Sequence, residues 1–307
     1  MLGLGLGLQK SAMVGGFIGL LDIFPNAAAA YSLRKLRAAY SGNAIRVRKE
    51  VSAISSETDI GFLGDGSLDT TTLLTFASDA DGGDVFVVTW YDQSTNGNYA
   101  TQSTAANQPK IVSSGAVITE GTSAKPAIDF DGVDDYFNLP SGLAAVFSGQ
   151  GKALSSFNVA SVASVVSGNR TLYSITNTPG SNDNYYHSSH DGSRFRFFAR
   201  GAGGLLKSSA STNTFGAGQY LKVDILPEES AGVQNGDMYI DSAQEVSSFD
   251  YATANKTLTS GAIGVLLRGS LSGYYDGNNQ ELILYPSDQS TNRAAIETNI
   301  NTFYSIY

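Results

Sequence analysis

The run AIDFDGVDDYF places four carboxylates, Asp129, Asp131, Asp134 and Asp135, within seven residues. Hydrolysis of a glycosidic bond needs two carboxyl groups facing each other across one pocket, at roughly 5 Å or about 6.5–9.5 Å. Asp129 and Asp131 share one face of a strand, which suggests acid–base work. Two other readings compete. Asp131-Gly132 is a turn signal, so the carboxylates end the strand and cap its turn. An oxygen-rich loop also suits calcium, with Asp129, Asp131 and Asp134 as ligands. The turn reading ranks first, calcium second and catalysis third.

Two histidines, His187 and His190, stand three apart in NYYHSSHDG, with Asp191 able to complete a metal set. Their Ser and Gly neighbours favour a polar, exposed hairpin loop over a metal site. Saccharide binding has better material. Aromatic faces cover C–H surfaces, while Asn, Asp and Gln bond hydroxyls. Tyr185 and Tyr186 in NDNYYHSSHD, and Tyr274 and Tyr275 in SGYYDGNNQ, supply the rings. Adjacent tyrosines on a strand point to opposite faces, so at most one of each pair meets a ligand. The loop YDQSTNGNYATQ, just after Trp90, adds Asp92, Gln93, Asn96 and Asn98. Its competing role is structural, with Asp92 and Gln93 bonding backbone amides around an Asn96-Gly97 turn. Glu281 is expected to serve buried backbone groups or a neighbouring Arg rather than act as a nucleophile. The glycines at 64–66 and 201–204 lack the Lys-Ser/Thr pair of a phosphate loop.

The elements that position these residues are mainly β. The 307 residues include 34 glycines and many short alternating runs split by Asx and Gly turns, as an all-β domain requires. A formal charge of -9 disfavours nucleic acid and anionic lipid. No cysteine is present, which excludes disulfides and thiol chemistry. Leu2, Leu4, Leu6 and Leu8 alternate with glycines and read as a strand-forming attachment arm over residues 1–25. The apolar stretch that follows is broken by glycines and by Asp22, so it makes neither a convincing export signal nor a membrane span.

Residues 26–307 read as one antiparallel β-sandwich with a few peripheral helices. NAAAAYSLRKLRAAY, from Asn26 to Tyr40, predicts a helix. A second helix spans Leu68 to Ala77, capped by Ser67 or Asp69. The last helix lies within DQSTNRAAIETNINTFYSIY, with Ile296, Ile300, Phe303 and Tyr307 at helical spacing.

The segments AYSLRKLRAAYSG, IRVRK, TDIGF, DGSLDTTTLLTFA, TWYDQSTNGNYATQ and KPAIDFDG, in this order, resemble the first part of the catalytic domain of the fungal-type α-L-arabinofuranosidase B family. GDMYIDS and the final NNQELILYPSDQSTNRAAIETNINTFYSIY are similar to the end of concanavalin A-like, LamG-type sandwich domains, which occur in bacteriophage virion proteins and bacterial surface proteins. The resemblance implies a jelly roll whose loops hold a glycan. It also implies a vicinal cysteine pair and a nucleophile-bearing strand, and neither has a counterpart here, so no catalytic residue carries across. The expectation is therefore a non-enzymatic phage virion protein: a capsid decoration, head fibre or tail component. It would meet other virion proteins through the arm, bind host glycans through its loops, need no cofactor beyond calcium, and form a homo-oligomer. The alternatives are an arabinofuranosidase-type glycoside hydrolase and an extracellular or cell-surface adhesin.

Overall fold

The computed structural model describes residues 16–163, 168–177, 184–201, 204–228, 235–251 and 255–307. The arm residues Leu2, Leu4, Leu6 and Leu8 lie outside these. In chain order the main strands begin with β1 (Ala29–Ser32), β2 (Ile45–Val51), β3 (Ile54–Ile60), β4 (Val85–Trp90), β5 (Ala100–Thr101) and β6 (Lys110–Ser113). Next come β7 (Ile128–Asp131), β8 (Phe137–Leu139), β9 (Leu154–Val162), β10 (Arg170–Thr176), β11 (Tyr185–His190) and β12 (Phe195–Arg200). The last are β13 (Leu206–Ala210), β14 (Gly218–Leu226), β15 (Asn235–Ile240), β16 (Ala243–Asp250), β17 (Ser260–Ile263) and β18 (Asp276–Tyr285). The helices are α1 (Leu20–Ile23), α2 (Thr70–Ala77), α3 (Ser141–Val146) and α4 (Arg293–Tyr304).

All pairings among these strands are antiparallel. One layer runs β16–β15–β14–β9–β18, and β18 also pairs with β1 and β7. The ladder turns through β7, β6, β4, β5 and β8 into the second layer, β17–β10–β11–β12–β13. There β13 returns beside β16, where Lys207 Nζ donates to Asp250 Oδ2 at 2.6 Å. The two layers thus nearly close on each other, which leaves few free edges.

Period-two alternation divides the apolar residues between two cores. Leu282 and Leu284 of β18 point into the sandwich with Phe130, Phe137, Tyr173, Tyr186 and Phe197. Ile283 and Tyr285 point the other way, under Ile296, Ile300 and Tyr304 of α4. Inside the sandwich Lys222 is ion-paired with Asp224, and Ser156 and Ser188 donate to the same carboxylate. The last helix therefore packs as the spacing predicts, although it ends at Tyr304, with Ser305 in the left-handed conformation at φ 54°, so Tyr307 lies beyond it. In α2, Asp69 accepts from the Thr72 amide at 2.9 Å, the expected cap.

Three expectations are corrected. Asn26 to Tyr40 is not a helix: Ala29–Ser32 is a strand paired with β18 in the register Ala29↔Leu284 to Ser32↔Glu281. Residues 27–34 are buried throughout, between both cores, where a helix could bury only one stripe. Residues 20–25, read from sequence as arm, join the domain: Leu20 and Leu21 sit in the second core, and Phe24 O accepts from the Tyr285 hydroxyl at 2.8 Å. NYYHSSHD is no exposed loop but β11, buried along its whole length.

Candidate functional site

β11 lies between β10 and β12, so its side chains alternate between the sandwich interior and the outer face of this layer. Tyr186, Ser188 and His190 turn inward; Tyr185 and His187 turn outward. Opposite them in β12, Arg200 pairs with Tyr185 and Phe198 with His187, so these side chains share the outer face. A short hairpin, with Leu266 paired to Ser272 and Leu267 to Leu271, lies over this face. Ser174 pins it by donating to Val265 O at 2.8 Å and accepting from the Leu267 amide at 3.2 Å. The chain then runs along β10, where the Thr171 amide donates to Gly273 O at 2.8 Å. Gly273 has φ 64°, and a Cβ there would stand 2.6 Å from Asn169 O, so only glycine fits.

Sheet and hairpin enclose a cleft of about 260 Å³ lined by Tyr185, His187, Phe198, Thr171, Arg268 and Ser272, among others. Its make-up suits a sugar, with aromatic faces below and hydroxyl, imidazole and guanidinium groups at the sides. His187 stacks on Phe198 at 5.2 Å and shares a 3.0 Å hydrogen bond between its Nε2 and Thr171 Oγ1. Burial, reinforced by Arg268 and Lys222, pushes the imidazole down to about 3, so it is neutral at physiological pH. His190, on the opposite face, accepts from the Gly192 amide through Nδ1 and uses Nε2 toward Phe215 O at 3.1 Å. The two histidines therefore form no metal pair, and Asp191 is engaged by Arg196.

A larger groove of about 570 Å³ lies between α2 and α4. Its walls combine Leu33, Leu63, Leu68, Leu74, Val117 and Phe303 with Ser67, Thr70, Thr119, Ser123, Lys125 and Tyr304, and no Asp, Glu or His is among the lining residues. It offers no carboxylate or imidazole for acid–base work.

Beyond Gly273 the rim of the cleft continues into Tyr274, half-buried, with its ring 6.4 Å from that of Tyr136. Arg170 Nη1 reaches both Tyr274 O at 3.2 Å and Gly132 O at 3.5 Å, which ties this rim to the acidic turn. Here Asp131, Asp134 and Asp135 bring one carboxylate oxygen each to within 4.8 Å of one another. This trio could hold a hard cation. The sequence had placed Asp129 in that set; Asp135 takes its place. The turn itself is real: Asp131 Oδ1 accepts from the Val133 amide at 2.8 Å, and Gly132 has φ 76°. Burial, with the charges of Asp131 and Asp134, raises the Asp135 carboxyl to about 7. Its Oδ2 accepts from the Asp131 amide at 3.1 Å.

A stability effect follows from that raised value. Between the ordinary carboxylate pKa and about 7, folded Asp135 holds a proton that the unfolded chain has lost. The group therefore destabilises the fold increasingly as pH rises through that window and fully above it. Asp135→Asn is expected to leave the melting temperature nearly unchanged at pH 4 and to raise it above wild type at pH 8. An equal difference at both pH values in thermal unfolding would disprove this.

The other expected sugar contacts divide. Tyr275 is buried, with its hydroxyl donating to Ser161 O, and Tyr186 belongs to the sandwich core. Asp92 and Gln93 are buried and spent on the backbone of residues 30–36, and Asn96 Nδ2 donates to Ala27 O at 3.0 Å. Tyr275, Tyr186, Asp92 and Gln93 are buried and cannot reach a ligand; Asn96 is exposed, with its amide nitrogen committed to the Ala27 and Ala28 carbonyls. Tyr185 and Tyr274 remain, one from each pair. Sequence reasoning missed His187 as a wall, Phe198, Tyr136 and Arg268. Strand alternation from Tyr185 would have found His187, while Phe198 follows only from the register of the next strand; nothing local marks Arg268, because a long-range hairpin brings it there.

No family model matches the chain, and no curated protein matches it. Solved structures do. One is the crystal structure of an arabinofuranosidase complexed with arabinofuranosyl-α-1,2-xylobiose, at 14% identity and TM-score 0.64, covering 94% of this chain and 65% of that one. Another is a mutant GH54 α-L-arabinofuranosidase soaked with 4-nitrophenyl α-L-arabinofuranoside, at 15% identity and TM-score 0.62, covering 94% and 66%. The chain thus spans just under two thirds of these proteins. Neither is a virion protein, so the particle-bound setting rests on sequence resemblance alone. The expectation that the chain is no enzyme is contradicted by these matches: nearly its whole length adopts the fold of solved arabinofuranosidases.

Proposed function

We propose that this protein is a glycoside hydrolase of the arabinofuranosidase type. In this reading the glycan lies in the cleft over Tyr185, passes Tyr274 and Tyr136, and reaches the carboxylates of the acidic turn. The observation that carries it is a carboxyl group raised to about 7, Asp135, beside further carboxylates and two half-buried aromatic rings. A carboxyl still protonated near neutrality can donate to a leaving oxygen, while a neighbouring carboxylate supports the charge that develops on the sugar. The shared fold supports the reading as analogy.

The test is release of nitrophenol from a panel of 4-nitrophenyl glycosides that includes the α-L-arabinofuranoside. Wild type is expected to cleave at least one, with the rate falling above pH 7 as Asp135 loses its proton. Asp135→Asn should lower kcat by about 10²–10⁴-fold. No release from any member of the panel, or an unchanged rate in the variant, would sink the proposal.

A further inference from the structure

We propose that the cleft over Tyr185 takes a saccharide bearing a carboxylate, bound by the guanidinium of Arg268. This deepens the reading above and rests on it, since it assigns the class of sugar to the same cleft. Arg268 is the only charged side chain among the residues that line the cleft. Among the described residues it makes no ion pair; its guanidinium lies 5.6 Å from the centroid of the Tyr185 ring. Most cations near acidic groups in this chain are committed, Arg34 to Glu281, Arg46 to Glu57, Arg196 to Asp191 and Lys222 to Asp224. An unpaired guanidinium kept over an aromatic floor, in a protein of net charge -9, is the feature that needs a reason.

His187 adds hydrogen bonding without charge, so nothing in the wall repels a carboxylate. The planar fork of a guanidinium matches a carboxylate with two parallel hydrogen bonds, which a glycan without an anionic group would leave unused. At about 260 Å³ the cleft suits one terminal sugar with its substituent rather than a long chain.

The experiment screens the whole protein against neutral, carboxylated and sulfated oligosaccharides. It then titrates the best acidic ligand, and the same ligand with its carboxyl reduced to the alcohol, into wild type, Arg268→Gln and Arg268→Lys. Arg268 is partly exposed, so the variants should fold; unchanged thermal unfolding will verify it. The expected result is preference for carboxylated sugars, with about tenfold or greater loss on reducing the carboxyl. Arg268→Gln should show the same loss with the acidic ligand and none with the reduced one, and Arg268→Lys should keep part of the affinity. Neutral sugars binding wild type and Arg268→Gln alike would overturn the acidic assignment but leave the glycan cleft standing. Preference for sulfated over carboxylated sugars would overturn the carboxylate. Absence of binding to any sugar would overturn both this inference and the reading beneath it.

Discussion

Glu281→Gln is expected to destabilise the protein by about 3–5 kcal/mol, because it removes one half of a buried ion pair. The Arg34 guanidinium meets the carboxylate as a fork, Nε donating to Oε2 at 2.7 Å and Nη2 to Oε1 at 2.9 Å. Ser32 Oγ donates to the same Oε2 at 2.7 Å. Arg34 Nη1 continues to Asn299 Oδ1 at 2.9 Å, and its guanidinium lies 5.2 Å from the centroid of the Phe303 ring. The pair therefore joins β1, β18 and α4, three elements from the two ends of the sequence. Glutamine keeps the length but leaves Arg34 charged, buried and without a counter-ion. Replacing both partners by apolar residues, Arg34→Met with Glu281→Leu, should cost far less than the single change. Denaturant unfolding at pH 7 measures both. A single-mutant loss below about 1 kcal/mol, or a double mutant as unstable as the single, would refute the account.

The same region shows what the sequence could and could not tell. Its alanines and leucines have strong helix propensity, and locally nothing argues against a helix from Asn26 to Tyr40. What decides is remote: β18 offers a free edge, and the polar loop after Trp90 offers donors and acceptors. Propensity of a few tenths of a kcal/mol per residue yields to such pairing. By contrast α4 was legible, since Ile296 and Ile300 recur at 3.6-residue spacing over one partner. Asp69 was legible because a cap acts within its own helix. The cleft was legible in part. Alternation limited each tyrosine pair to one outward ring without saying which, and Arg268 reaches Tyr185 only through the fold. The acidic turn was recognisable from Asp131-Gly132, yet which carboxyl rises in pKa depends on burial, and burial selected Asp135.

The polar loop also carries the second large effect. Asp92→Ala is expected to cost about 3 kcal/mol or more, because one buried side chain satisfies several donors. Its Oδ1 accepts from the Ala30 and Ser94 amides, both at 2.8 Å, and its Oδ2 from the Asn98 amide at 3.0 Å and Ser94 Oγ at 2.7 Å. Alanine would strand three backbone N–H groups in a region with little access to water, at about 1–3 kcal/mol each before relaxation. Gln93 completes the same template, accepting from the Leu36 amide at 2.7 Å and donating to Ser32 O and Arg34 O at 3.0 and 2.9 Å. Residues 30–36 are thus shaped by side chains where a sheet would use a neighbouring strand, and β1 reaches Arg34 in position to meet Glu281. Asp92→Asn keeps one acceptor but turns an N–H₂ toward N–H donors, so its loss should fall between wild type and alanine. Hydrogen exchange distinguishes this from general weakening: the Ala30 and Asn98 amides should lose protection well before those of β9 and β14. Equal loss across all strands, or a stability change under about 1 kcal/mol, would show that the carboxylate is not the template.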